Sequence, residues 1–371
     1  EHAVDKRILQ RGASNLYFPI FESALSIPPW SDSLQEALGI YWDSLVNVDQ
    51  AQRADYVKLL AHGELGPVLQ EFHLTPDELS KQIENRISLF SGDAILDIRQ
   101  EEYRQFLSGI DTPKDDAREF EIRNVDVPNN LHHYISRIVK VVRLREVRAI
   151  RGFTRINQPG DLSGSNISRL SAGNLDWLPA IEVRGEGIFL AFNMESLIAW
   201  ETTDYPTERS SEINKRWFEE WKRRFGDSAP DTVITPRLLL IHTFAHALMR
   251  QLTLECGYST AALRERLYVS DKDTGMAGLL LYTATSDSDG TLGGLQRQGN
   301  SLRISRLILA AIKAMEWCSS DPLCIQGVLS SYESHSYAAC HACVLAPETA
   351  CEFHNRFLDR SSLIGDPIKP E

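Results

Sequence analysis

The sequence predicts a mixed α/β protein of the α+β kind, in which a helical N-terminal portion precedes a mixed α/β domain that ends in a cysteine cluster. Three observations predict it. Thr75–Pro76–Asp77–Glu78 is a capping box with proline at the first helical position, and Leu79, Ile83, Ile87 and Phe90 follow it on one helical face. The runs from Ile135 to Ile150 and from Ile181 to Phe192 carry the β-branched and aromatic residues of strands. Five of the six cysteines fall between Cys318 and Cys351.

Taken in order, roughly the first 35 residues read as an ordered arm: Pro19 and the Pro28–Pro29–Trp30 stretch break any helix, while Tyr17, Phe18, Phe21 and Trp30 can pin the segment onto a core. From Ser33 to Phe106 the pattern is helical. Between Gly109 and Arg118 the chain turns polar and acidic, which marks a boundary between an arm and helical region, 1–118, and a mixed α/β domain, 119–371. In the run from Ile181 to Phe192, polar and apolar residues alternate around Arg184–Gly185–Glu186–Gly187 as they would in a hairpin. Gln158 to Gly173 reads as a long loop. Helices follow over Glu208–Phe225 and Pro236–Cys256, the second opened by a proline and closed at Gly257. Short strands around Leu267–Val269 and Leu279–Thr283 and a helix from Leu302 to Trp317 complete the pattern.

A chain of 371 residues with 43% hydrophobic content buries a large core. Its longest apolar runs, such as Leu238–Ile241, fall far short of the roughly 20 residues that cross a bilayer. No charged-then-apolar leader opens it, so a cytoplasmic location is expected. The start at Glu1, without an initiator methionine, reads as a processed product or a piece of something longer.

The net charge of −12 argues against a surface uniformly attractive to nucleic acid. A local patch is nevertheless present. Between Arg137 and Arg155 seven basic residues stand against one acid, Glu146, interleaved with valines and isoleucines. Arg143, Arg145, Arg148, Arg151 and Arg155 are therefore candidate nucleic-acid contacts, with Arg303, Arg306 and Lys313 as lesser ones; a charged strand face in solvent is the alternative explanation.

Zn²⁺ prefers four thiolate or imidazole ligands in a tetrahedron, and a C-x-x-C turn such as Cys340–His341–Ala342–Cys343 sets two sulfurs on one side of an ion. Cys351 can fold back as a third ligand, leaving Cys324 or Cys318 for the fourth, with Cys324 preferred. His335 and His341 are near enough in sequence to replace a cysteine. Buried reduced cysteines and a redox-active pair are the competing readings. The surrounding sequence contains Pro322 and Pro347 and few large apolar residues, so it needs the stability that a bound metal supplies. A closed four-cysteine site leaves no position for water and is structural.

His242 and His246 lie four apart on one helical face, the spacing of metalloprotease helices, but Thr243 stands where that motif requires a glutamate. Their apolar neighbours make a buried or interface pair the simpler reading. Ser286 to Leu295 is an acidic, then glycine-rich loop; Asp287 and Asp289 could take a cation, which with the two histidines would make a metal-dependent nuclease or hydrolase. A tight loop serving packing is the simpler alternative, and no nucleotide-binding glycine motif is present.

Blocks spread over nearly the whole chain resemble the DrmB family of DISARM anti-phage defence systems: Arg11–Pro19 with Ser23–Trp30, Leu144–Arg155, His242–Leu248, Leu254–Ser259, Ser288–Leu295, Trp317–Cys324, Cys340–Cys343, Pro347–Cys351 and Asn355–Arg360. From about 236 to 371 the sequence is similar to an MrfA-type zinc-binding domain, which is also found fused to DNA helicases. In those relatives a C-x-x-C pair, a third cysteine, an asparagine and an L-D-K/R box occur in an order that corresponds here to Cys340, Cys343, Cys351, Asn355 and Leu358–Asp359–Arg360. The gap between Cys324 and Cys340 is longer than in those helicases. The resemblance implies Zn²⁺ as cofactor, a DrmA-like helicase as partner, DNA engaged through that complex, and no catalytic residues in this chain. A pure scaffold without DNA contact is the remaining alternative.

Overall fold

The computed structural model describes residues 17–26, 34, 37–72, 74–88, 94–108, 111, 119–155, 167–173, 177–227, 230, 232–270, 275–283, 294–328 and 335–365. A seven-stranded antiparallel sheet lies at its centre, with strands β1 (Tyr17–Leu25), β2 (Glu121–Val125), β3 (Ile135–Arg155), β4 (Ser168–Arg169), β5 (Ala180–Phe192), β6 (Leu263–Ser270) and β7 (Met276–Thr283). The order along the sheet is β1-β3-β5-β7-β6. The long β3 holds β2 against its first half, where Val125 faces Ile138, and β1 against its second half, where Tyr17 faces Arg155.

Strand β1 falls within the segment expected to be an irregular arm. Its Pro19 is tolerated because β1 lies at an edge, where a missing N–H breaks no ladder. Around Arg184–Gly185–Glu186–Gly187, where the sequence suggests a hairpin, the chain instead runs straight through as β5. The glycines serve close approach: a Cβ on Gly185 would stand 2.0 Å from the Thr283 carbonyl oxygen, and one on Gly187 2.5 Å from that of Leu281.

Alternation along the strands builds a core on each face. Ile188, Leu190, Leu279 and Leu281 face the long helix α8 and helix α10, while Val139, Phe189, Leu280 and Tyr282 face helix α5. These helices span Pro236–Cys256, Ser301–Met315 and Ala94–Leu107 respectively. Between them in the chain come α6 (Met194–Glu201), α7 (Asp204–Phe225) and the short α9 (Gly294–Gln298). On α5, Glu102 forms a two-pronged ion pair with Arg266 of β6, at 2.6 Å on both arms, and accepts from the Tyr268 hydroxyl at 2.9 Å. The N-terminal helices α1 (Trp42–Asn47), α2 (Gln50–Ala61), α3 (Gly66–Glu71) and α4 (Pro76–Ser88) enclose their own core around Leu45, Val57, Leu69, Leu79 and Ile83. Thr75 and Glu78 close the expected capping box, each backbone N–H bonding the other's side chain. Phe90 lies outside the described residues. Among those described, no helix is long and apolar enough to cross a membrane.

Candidate metal centre

Helix α8 positions the C-terminal lobe. It starts where Thr235 accepts from the Leu238 amide and stops where Gly257 takes a left-handed φ of 73°. Thirteen of its 21 residues are buried, one side on the sheet and the other on the segment from Cys318 to Ile364. The described residues of that segment contain little regular structure: turns, a 3-10 turn at Glu348–Ala350 and the four-residue helix α11, Ser361–Ile364. Buried side chains fasten it instead. Asp359 accepts from Arg209 at 2.8 and 3.0 Å and from the Ala338 and Ser361 amides, and its own N–H donates to Thr243. Thr243 thus occupies a structural position at the point where a metalloprotease helix carries its base. Arg360 donates to the Met315 carbonyl and to Asp321, whose carboxylate in turn accepts the Cys318 and Ile325 amides. Asn355 bridges Ala346 through both its amide oxygen and its amide nitrogen.

This scaffold gathers Cys318, Cys324, Cys340 and Cys343, whose sulfurs all lie within 4.8 Å of one another. The separations are 3.5 Å for Cys318–Cys340, 3.6 Å for Cys340–Cys343 and 3.7 Å for Cys324–Cys343. A disulfide requires about 2.05 Å, and the cysteines are free. Four sulfurs at about 2.3 Å from a central zinc would stand about 3.8 Å apart, so the donor set fits such an ion. Backbone amides already aim at the sulfurs, Ser320 N–H at Cys318 and Cys340 N–H at Cys343. The Cys343 thiol is drawn down to about 6, chiefly by its hydrogen bond with Cys324, whose own thiol is pushed up by the same contact. Burial raises Cys318.

Cys351, expected as the third ligand, is absent from this quartet; Cys318 and Cys324 both join it instead. The chain between Ala346 and Asn355 carries Cys351 to the side of α8, where its sulfur lies 3.1 Å from His242 Nε2. There it groups with His242, His246 and Glu265, all buried. Burial, and next the Glu265 carboxylate, push its thiol well above the ordinary range. His335 meets Trp217 edge to face and lies 3.4 Å from Glu220, while His341 is exposed; neither joins the quartet. Asp287 and Asp289 lie outside the described residues.

The sequence signal for the second grouping is the pair of His242 and His246; Glu265 stands between Arg264 and Arg266, so its charge does not single it out, and only the fold shows that it is buried.

Of the basic segment, Arg145 is buried between Glu119 and Glu182, and Arg148 is buried on Glu146, which also accepts from Tyr282. Their guanidinium groups are held inside the fold, a correction to the expectation that they face a nucleic acid. Arg143 and Arg151 are exposed, the latter pairing with Glu22 at 2.8 Å. Arg155 ends β3, and its side chain lies outside the described set. Arg303, Arg306 and Lys313 are exposed on α10.

The family described as MrfA Zn-binding domain matches residues 244–344, a span that includes all four cysteines of the quartet. Over 96% of its length the chain is 34% identical to the DISARM protein DrmB of Bacillus paralicheniformis. The chain is a DrmB homologue. It spans 64% of that relative's length. A crystal structure of the DUF1998 helicase MrfA bound to DNA covers 64% of this chain and 24% of its own, with 11% identity and a TM-score of 0.29, a likeness too slight to carry function across.

Proposed function

We propose that this chain is a zinc-stabilised, non-catalytic subunit of a DISARM-type anti-phage defence complex, which docks on a DrmA-like DNA helicase in the cytoplasm and adds contacts to DNA. The observation that carries this reading is the four-cysteine quartet, three of its members buried, inside the segment that matches the MrfA Zn-binding domain, in a chain homologous to DrmB along 96% of its length. Cys318, Cys324, Cys340 and Cys343 hold the ion, which supplies the C-terminal lobe with the cross-link that its loops lack. Its role is structural because four thiolates fill a tetrahedral shell.

Arg143 and Arg151 are the exposed residues among the described basic side chains of this segment, and they are the DNA contacts of this reading, with Arg303, Arg306 and Lys313 as a further patch. Co-purification with the neighbouring helicase tests the partnership: a stable complex is expected, and none at micromolar concentration overturns it. Filter binding across a salt series tests the contacts. Each phosphate-contacting arginine changed to alanine should lower the slope of log affinity against log salt by about one. A slope unchanged in the Arg143→Ala, Arg151→Ala double variant removes direct DNA contact and leaves a scaffold.

A further inference from the structure

Four side chains converge where α8 meets β6 and the C-terminal lobe, His242, His246, Glu265 and Cys351, whose donor atoms all lie within 4.8 Å of one another. Each is buried, the histidines and Glu265 at 2% exposure or less and Cys351 at 6%. With both rings neutral, their acceptor atoms face one another. Nδ1 of His246 lies 2.8 Å from the Val344 carbonyl oxygen and Nδ1 of His242 3.3 Å from that of Phe357; a carbonyl only accepts, so both rings carry a proton on Nδ1. In the neutral rings, both Nε2 lone pairs then point at the Glu265 carboxylate, at 3.1 and 3.5 Å, with the Cys351 sulfur alongside. His246 Nε2 and Glu265 Oε2 have no hydrogen-bond partner although fully buried. One imidazolium on His242 would balance the Glu265 charge but leave His246 Nε2 facing Glu265 Oε2 without a partner, and two beside a neutral Cys351 thiol would bury a surplus positive charge.

We infer that these four residues bind a second zinc ion, through His242 Nε2, His246 Nε2, a Glu265 carboxylate oxygen and Cys351 Sγ. One thiolate, one carboxylate and two neutral imidazoles cancel the charge of a divalent cation. Two nitrogens, one oxygen and one sulfur form a donor set that zinc accepts in a tetrahedron. The supporting contacts are those of built metal sites: each ligating ring donates its other N–H to a backbone carbonyl, and the Cys351 sulfur accepts the Asn355 amide at 3.2 Å. With all four donor residues buried, the ion is structural and ties α8 and β6 to the C-terminal lobe.

The test measures zinc content by elemental mass spectrometry and ligation by zinc K-edge X-ray absorption, on full-length protein purified from zinc-supplemented culture without chelators. Two zinc ions per chain are expected, with outer-shell imidazole scattering in the spectrum. His246→Gln should reduce the content to one and remove the imidazole signal. Cys340→Ser should also leave one ion, now with imidazole present, which separates failure of the four-cysteine site from failure of this one. One zinc per chain with a sulfur-only shell in the unaltered protein overturns the inference, and that spectrum decides the matter even where a variant does not fold. Unchanged content and spectrum in a folded His246→Gln protein overturn it equally.

Discussion

At the scale of single residues, buried charges that hold loops together organise the C-terminal lobe. Asp359 is fully buried and takes two hydrogen bonds from Arg209, whose guanidinium also lies over the Tyr337 ring. Removing the carboxylate strands that arginine in the interior, a change that costs about 3–5 kcal/mol. Asp359→Ala should therefore lower the urea midpoint by that equivalent at constant slope. Asp359→Asn, which keeps an acceptor oxygen, should lose less. Equal, near-zero effects in both variants would mean that the pair does not hold the lobe. The L-D-R box is visible in the sequence, but its reason is not: Asp359 and Arg360 meet partners as distant along the chain as Arg209 and Met315. The same distance problem misassigned Cys351. Spacing alone makes it a natural third ligand to Cys340 and Cys343, and only the fold shows that its sulfur meets a helix more than 100 residues upstream, with |i−j| of 109 to His242.

At the scale of elements, glycine placement tests the sheet. Gly185→Ala drives a Cβ to 2.0 Å from the Thr283 carbonyl at the point where β5 meets β7, a contact that backbone movement must relieve. Overpacking of this kind costs about 1–3 kcal/mol, and backbone rather than side-chain contact puts this case at the upper end. Gly173→Ala, whose Cβ would approach nothing closer than 3.8 Å, is the near-neutral control. Thermal unfolding of the two variants side by side decides it; matching midpoints would sink the close-approach account.

Helices with local stop and start signals were legible to within a few residues. Pro236–Cys256 carries its cap, its proline and its terminal glycine within its own sequence, and the observed bounds agree. Strand β1 was not legible, since the edge position that excuses Pro19 belongs to the sheet and not to the segment. The paired glycines of β5 look the same in sequence whether they turn a chain or admit a neighbour's backbone. In the basic strand, arginine spacing showed charge but not direction. Arg145 and Arg148 spend theirs on Glu119, Glu182 and Glu146, two of which lie on other segments.

At the scale of the whole molecule, the N-terminal helices enclose a core of their own, whereas α8, the sheet and the cysteine lobe share one. Cys318, Cys324 and Cys343 belong to the same cluster as Leu248, Leu252, Leu279 and Ile308, so the sulfurs of the quartet form part of the wall against which the long helix packs. Metal loss is therefore not confined to the lobe. Four thiolates without their cation are mutually repulsive and become protonated, and loops that depended on them lose the cross-link that offset their chain entropy. Local unfolding should follow contact, not sequence. Dialysis against a strong zinc chelator, followed by hydrogen exchange, should speed exchange first in 318–328 and 335–365. It should then spread to α8 and to β6, which is joined to the lobe by Glu265 and by the Glu352 contacts with Leu267 and Arg99. Helices α2 and α4, which pack on each other around Val57 and Ile83, should keep their protection throughout. A uniform rise over all regions would show one cooperative unit, and no rise in the lobe would show that its loops stand without the ion.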